Sequence, residues 1–164
     1  MTAQDYEKWT RPLSNHPSLL CAFIIASKAL TALIYVSYLT LLLVLLIIQP
    51  AALPRVILTP AVSFILLSLF RDWINLPRPY EVLNITPLIY KNTKGHSFPS
   101  RHVFSVTVIA CAFLSLIPWI GILFLIFAVL MAIIRVLGGV HFPRDVIAGF
   151  AFGLLSGWIG FVWL

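Results

Sequence analysis

Three short clusters in this chain hold the residues able to do chemistry. The first, Arg71-Asp72-Trp73-Ile74-Asn75-Leu76-Pro77-Arg78-Pro79, sets two arginines seven residues apart. The second is Ser97-Phe98-Pro99-Ser100-Arg101-His102, and the third places His141 six residues after Arg135 and Asp145 four after that. Guanidinium groups bind phosphate oxygens through forked, charge-assisted hydrogen bonds. Two histidines provide for nucleophilic and acid–base work, and a carboxylate can orient one of them. A helix starting at Ser100 adds free backbone N–H groups and the positive end of its dipole, a natural anion cradle. His102, His141 and Asp145 are also zinc-type donors, but the arginines around them would repel a cation, so no metal and no cofactor is expected.

These clusters must be held by membrane helices. Of 164 residues, 61% are hydrophobic and only 10% charged, against roughly 25% charged in ordinary soluble domains. Ala29 to Pro54, Val103 to Ile134 and Val146 to Leu164 contain no charged side chain. A bilayer core of about 30 Å asks for about 20 helical residues, so these runs are of membrane scale. The net charge of +6 does not indicate nucleic acid, because the basic residues sit at the ends of apolar segments. Cys21 and Cys111 lie in apolar surroundings and predict no disulfide framework. No secretory leader of the usual kind is visible in the polar first fifteen residues.

Punctuation by proline and glycine sets the expected elements. Residues 1–15 read as a polar segment, and Ser18 to Lys28 as an interfacial helix or lead-in turn. Spans are predicted over about 29–49, 53–72, 101–117, 118–136 and 143–164. Pro60 would kink the second span, and Ser100 would cap the third. Gly149, Gly153 and Gly157 form a small-residue face suited to close helix packing. The one long polar connection, 73–100, is read as the active-site loop. The expected fold is thus all-α: a single polytopic bundle over 1–164, with about five spans and an N-terminal interfacial segment over 1–28. All three clusters then fall on one membrane face.

The three clusters resemble the signature of the type 2 phosphatidic acid phosphatase superfamily, which includes bacterial acid phosphatases and vanadium haloperoxidases. That pattern is a basic residue, six residues, then Arg-Pro; then Pro-Ser-Gly-His; then Ser-Arg, five residues, His, three residues, Asp. Here Arg71 and Arg78-Pro79 match the first part, Pro99, Ser100 and His102 the second, and Arg135, His141 and Asp145 the third. Arg71 stands where lysine is commoner, Arg101 replaces the glycine, and Ile134 replaces the serine before Arg135. The resemblance implies that His141 is the nucleophile, that Asp145 holds its ring, and that His102 protonates the leaving group. Arg71, Arg78, Ser100, Arg101 and Arg135 would hold the substrate phosphate. It further implies a lipid phosphate as substrate, with phosphatidic acid, phosphatidylglycerol phosphate, prenyl diphosphates and lipid A phosphates among the family's range.

Other readings compete with catalysis. A silent lipid-binding or transport protein on the same bundle is favoured by Arg101 and Ile134, but would need neither nucleophile nor orienting carboxylate. A vanadate-dependent peroxidase is disfavoured for so small a membrane chain. Arg55 and Lys28 are read as headgroup contacts, Lys91 and Lys94 as solvated loop charges, and His16 and His96 as ordinary loop histidines. Lysine and arginine counts put the motif face inside. Several of those charges belong to the site itself, however, and the resemblance implies an extracytoplasmic site in a bacterial cytoplasmic membrane. Oligomeric state is not encoded in any feature of the sequence.

Overall fold

The computed structural model describes residues 1–163. Helix α1, Ala3–Ser14, starts at a capping box in which the Asp5 amide donates to the Thr2 hydroxyl and the Thr2 amide to the Asp5 carboxylate. It buries Tyr6 and Thr10, one turn apart, on a single face. Helix α2, Pro17–Ile48, has proline in its first turn and then runs unbroken for 32 residues. The first span therefore begins at Pro17 rather than near residue 29. No glycine, proline or cap interrupts 18–48, so the short stretch read as interfacial is the first part of α2. The amphipathic N-terminal helix is instead α1.

Helix α3, Leu53–Ile74, follows a 3-10 turn at Pro50–Ala52 and contains Pro60. Proline leaves the carbonyl four residues earlier without its helical donor. That carbonyl, on Val56, accepts a hydrogen bond of 2.8 Å from the Tyr38 hydroxyl of α2. The neighbouring helix thus supplies the missing donor. The long connection after α3 contains one helical turn, α4 at Pro79–Val82.

Helix α5, Arg101–Leu116, is the centre of the bundle: every residue from Val103 to Phe113 is buried. It is apolar on all sides because protein surrounds it on all sides. Helix α6, Pro118–Leu137, folds back after the single residue Ile117, and Gly121 allows the contact, since a Cβ there would lie 2.4 Å from Leu114. Helix α7, Pro143–Trp158, ends in a π-turn, Ile159–Trp163. Its Gly149, Gly153 and Gly157 meet Ser100, Thr107 and Cys111 at separations that leave no room for a Cβ. The main core joins α5 to Ile34, Leu41 and Leu45 of α2 and to Phe124, Ala128 and Met131 of α6.

The outer surface carries the opposite pattern to a soluble protein. Leu39, Leu43 and Ile47 on α2, and Leu58, Ile65 and Leu69 on α3, are all exposed. Among the described residues, four helical runs are long and apolar enough to cross a membrane: Pro17–Ile48, Pro50–Val82, Pro118–Leu137 and Pro143–Trp163. Apolar α5 is enclosed among them. The chain is an all-helical integral membrane protein.

Candidate active site

All eight residues singled out by type and spacing come to one end of the bundle. Arg71 ends α3, Arg78 precedes α4, and Ser100, Arg101 and His102 open α5. Arg135 ends α6, His141 lies in the turn that follows, and Asp145 sits in the first turn of α7. Arg71, Arg78, Ser100, Arg135, His141 and Asp145 are buried. Arg101 differs, being exposed with its guanidinium 5.9 Å from the centre of the Phe64 ring.

The first two arginines organise the loop as well as supplying charge. Arg71 donates to the carbonyls of Pro99 and His96. Arg78 donates to Gly95 at 3.0 Å, to His96 at 3.3 Å and to Val140 at 3.2 Å. The carbonyl of His96 is thus shared by both guanidiniums, in a residue with left-handed φ of 51° whose amide donates to the Asn75 side chain. The imidazole of His96 pairs with Asp72 at 3.0 Å. His96 is therefore a structural hub of the loop, where the sequence alone offered only an ordinary histidine.

Asp145 is the junction of the remaining parts. Its Oδ2 accepts from the Ser97 hydroxyl at 2.5 Å and from the Phe142 amide at 2.9 Å. The same oxygen lies 3.7 Å from His141 Nδ1, at ion-pair range but longer than a hydrogen bond. The Ser100 amide donates to the Asp145 backbone carbonyl at 2.8 Å, tying the start of α5 to the start of α7. Arg144, beside it, is exposed and lies over the Phe142 ring, with Nε 3.6 Å from Asp145 Oδ1.

Burial dominates the electrostatics of the His141 ring. It lowers the imidazole to about 4, Asp145 opposes that shift, and the charges of Arg78 and Arg71 reinforce it. His141 is therefore neutral near pH 7, with Nδ1 towards Asp145. Four buried polar atoms at this end of the bundle make no hydrogen bond among the described residues: Ser100 Oγ, Arg135 Nε, His141 Nδ1 and Asp145 Oδ1. Three buried guanidiniums face one buried carboxylate. Uncompensated buried charge costs several kcal/mol, and an anion bound among these groups would offset it. Among the described residues, no three His, Cys, Asp or Glu side chains form a set of metal ligands.

Two residues of the site had no assigned role in the sequence. Ser97 sits in the second cluster, but its link to Asp145 spans 48 positions, which local pattern does not reveal. Tyr6 of α1 donates to the Leu137 carbonyl at 3.1 Å and accepts from the Leu88 amide at 3.2 Å, bracing the turn that leads to His141. Ser97→Ala should lower kcat about tenfold with little change in KM. A hydrogen bond to a charged group contributes about 1.5–3 kcal/mol, and its loss lets the Asp145–His141 pair drift. Steady-state kinetics on detergent-dispersed substrate would test this, and an unchanged kcat would reduce Ser97 to a packing role.

Fold and site together define an integral-membrane helical bundle with a cationic, histidine-bearing centre at one end. The chain belongs to the PAP2 superfamily, whose family model matches residues 52–164. It is 42% identical over 86 residues to an undecaprenyl-diphosphatase of Sulfolobus acidocaldarius, covering 52% of this chain and 40% of that one. A lipid A 1-phosphatase of Rhizobium etli is 36% identical over 109 residues, covering 61% and 44% of the two chains. The match thus spans about two fifths of the length of these curated relatives. The crystal structure of Aquifex aeolicus LpxE superposes with a TM-score of 0.75 at 26% identity, covering 97% of this chain and 93% of that one.

Proposed function

We propose that this chain is a metal-independent lipid phosphatase, acting on a phosphate monoester or diphosphate of a lipid through a phosphohistidine intermediate. The observation that carries the reading is the meeting of Arg71, Arg78 and Arg135 with His141 and Asp145, all buried at one end of a lipid-facing bundle. A soluble phosphate ester would not require such a scaffold. The curated relatives act on undecaprenyl diphosphate and on lipid A by their names, and prenyl diphosphates, phosphatidylglycerol phosphate and phosphatidic acid are the candidate substrates here.

In this mechanism Nε2 of His141 attacks phosphorus in line with the departing lipid oxygen. Asp145 steadies the imidazolium that forms. The guanidiniums, the Ser100 hydroxyl and the first amides of α5 hold the equatorial oxygens and stabilise the charge that develops on them. His102 gives its proton to the leaving oxygen, then takes one from the water that cleaves the phosphohistidine. The fixed guanidinium charges do the work that a metal ion does in other phosphatases. We place the protein in a bacterial cytoplasmic membrane with the site on the extracytoplasmic face. The silent-binder alternative loses one support, because Arg101 lies exposed over Phe64 rather than filling the buried centre.

Purified protein should release phosphate from at least one lipid in a panel of prenyl diphosphate, phosphatidylglycerol phosphate and phosphatidic acid. Release should persist in EDTA. Loss in EDTA with recovery on adding a divalent metal would sink the mechanism, and no release from any lipid would favour a binding protein.

A further inference from the structure

Helix α1 lies outside the stretch 52–164 that carries the family match, yet it reaches the turn before His141. Its Tyr6 is only 2% exposed, and the hydroxyl donates to the Leu137 carbonyl and accepts from the Leu88 amide. Burial raises this phenol above its ordinary value, with the Leu88 amide opposing, so the hydroxyl keeps its proton and remains a donor at neutral pH. Thr10, the other buried residue of α1, gives its own hydroxyl to the Tyr6 carbonyl at 2.8 Å. The bonds from α1 to α6 and to the 87–89 segment therefore both end on one phenol oxygen.

That oxygen sits where the chain is least able to hold its own shape. Leu137 ends α6, and Gly138-Gly139 follows directly. Glycine leaves the backbone more freedom than any other residue. Gly139 has a φ of 74°, and a Cβ on it would lie 2.8 Å from the Tyr6 hydroxyl and 3.1 Å from Pro87. The Ile89 amide donates to the Gly138 carbonyl at 3.1 Å. Tyr6 thus ties the end of α6 to the 87–89 segment, with the glycine turn held between them. On the far side of the turn, the Val140 carbonyl accepts from Arg78 at 3.2 Å.

The His141 ring depends on this backbone more than on its carboxylate neighbour. Its Nδ1 is 3.7 Å from Asp145 Oδ2 and makes no hydrogen bond among the described residues. At that separation the directional hold of a hydrogen bond is missing, so the turn must aim the imidazole. Removing the phenol hydroxyl would leave the Leu137 carbonyl and the Leu88 amide each short of a partner, and the turn would move to satisfy them.

We propose that Tyr6 is a positioning residue for the nucleophile: from α1 it clamps the Gly138-Gly139 turn and so sets where the His141 imidazole stands. The kinetic consequence rests on the phosphatase reading, and the geometry does not. Reacting groups misplaced by about 1 Å can lose about 10²-fold in rate, so a partial shift should cost about tenfold.

The test begins with Tyr6→Phe, which keeps the buried ring. On whichever lipid phosphate wild type hydrolyses, kcat should fall about tenfold while KM changes by less than about twofold. A hydroxyl that served only stability would lower the melting temperature and leave kcat per folded molecule unchanged, and that result would overturn the proposal. Gly139→Ala brings a Cβ against the same hydroxyl and should give the same split, which keeps the test decisive if the phenylalanine variant does not fold; an unchanged kcat there would equally overturn the clamp. The double variant should lose less than the product of the two separate losses, because removing the hydroxyl relieves the contact that the alanine makes. A full product would mean that the two positions act apart. Nuclear magnetic resonance of ring-¹⁵N-labelled histidines provides a readout that needs no turnover. The His141 signals, assigned by their loss in His141→Ala, should shift in Tyr6→Phe, and unmoved signals would sink the clamp. Shifted signals in a protein that releases no phosphate from any lipid would instead bring down the phosphatase reading and leave the clamp standing.

Discussion

His141→Ala is expected to abolish phosphate release, with a fall of about 10⁴-fold or more, as for other enzymes that lose their nucleophile. The same variant should retain phosphate binding, because Arg71, Arg78 and Arg135 are held by their own elements and not by the imidazole. Rapid acid-compatible quench does not suit this intermediate, since phosphohistidine is acid-labile and base-stable, so trapping must be done in base. Wild type should trap label and His141→Ala none; undiminished trapping on the variant would move the nucleophile elsewhere. The pH profile gives a second check. The neutral imidazole is the attacking form, present above the folded-state value and lost as pH falls through it. Burial sets that value at about 4, so this group should place no acid limb in kcat/KM near the usual 6.5.

The second large effect should come from His102→Ala, which is expected to slow lipid substrates by about 10²–10⁴-fold, the usual range for a lost general acid. Its signature is selectivity. A nitrophenyl phosphate has a leaving group that departs without full protonation, so it should lose far less activity than a lipid ester. Phosphohistidine should still form on the activated ester, then persist, because the residue that activates water is also missing. Equal losses on both substrates would assign His102 to structure or binding instead.

Much of this arrangement was legible in the sequence because the candidate site residues sit at helix ends. Pro118 and Pro143 start helices where proline is tolerated, and Gly138-Gly139 interrupts the chain between them, so both ends of α6 and the start of α7 could be placed to within a residue or two. The spacings from Arg135 to Asp145 then carried meaning, since a rigid scaffold surrounds a short turn. What stayed hidden depends on contacts far apart in the chain. Tyr6 reaches Leu137 across 131 positions, and α1 gave only a polar impression. Ser97 finds Asp145 because the loop is folded back by Arg71 and Arg78, whose donors go to carbonyls and leave no trace in residue types. The extension of α2 back to Pro17 was obscured by Lys28, a charge that an exposed helix face tolerates.

The glycine face of α7 has a mechanical consequence. One of the two helices it joins carries His102, and the other begins with Asp145 next to the His141 turn. Gly149 against Ser100, Gly153 against Thr107 and Gly157 against Cys111 act as three teeth of a rack about 12 Å long, running from the site end of the bundle along α5. A slip by a single residue moves one helix about 1.5 Å along the other. Misplacing reacting groups by about 1 Å can cost about 10²-fold in rate. The alignment of the two histidines is therefore gauged along the seam between α5 and α7, as far from the site as Gly157 and Cys111.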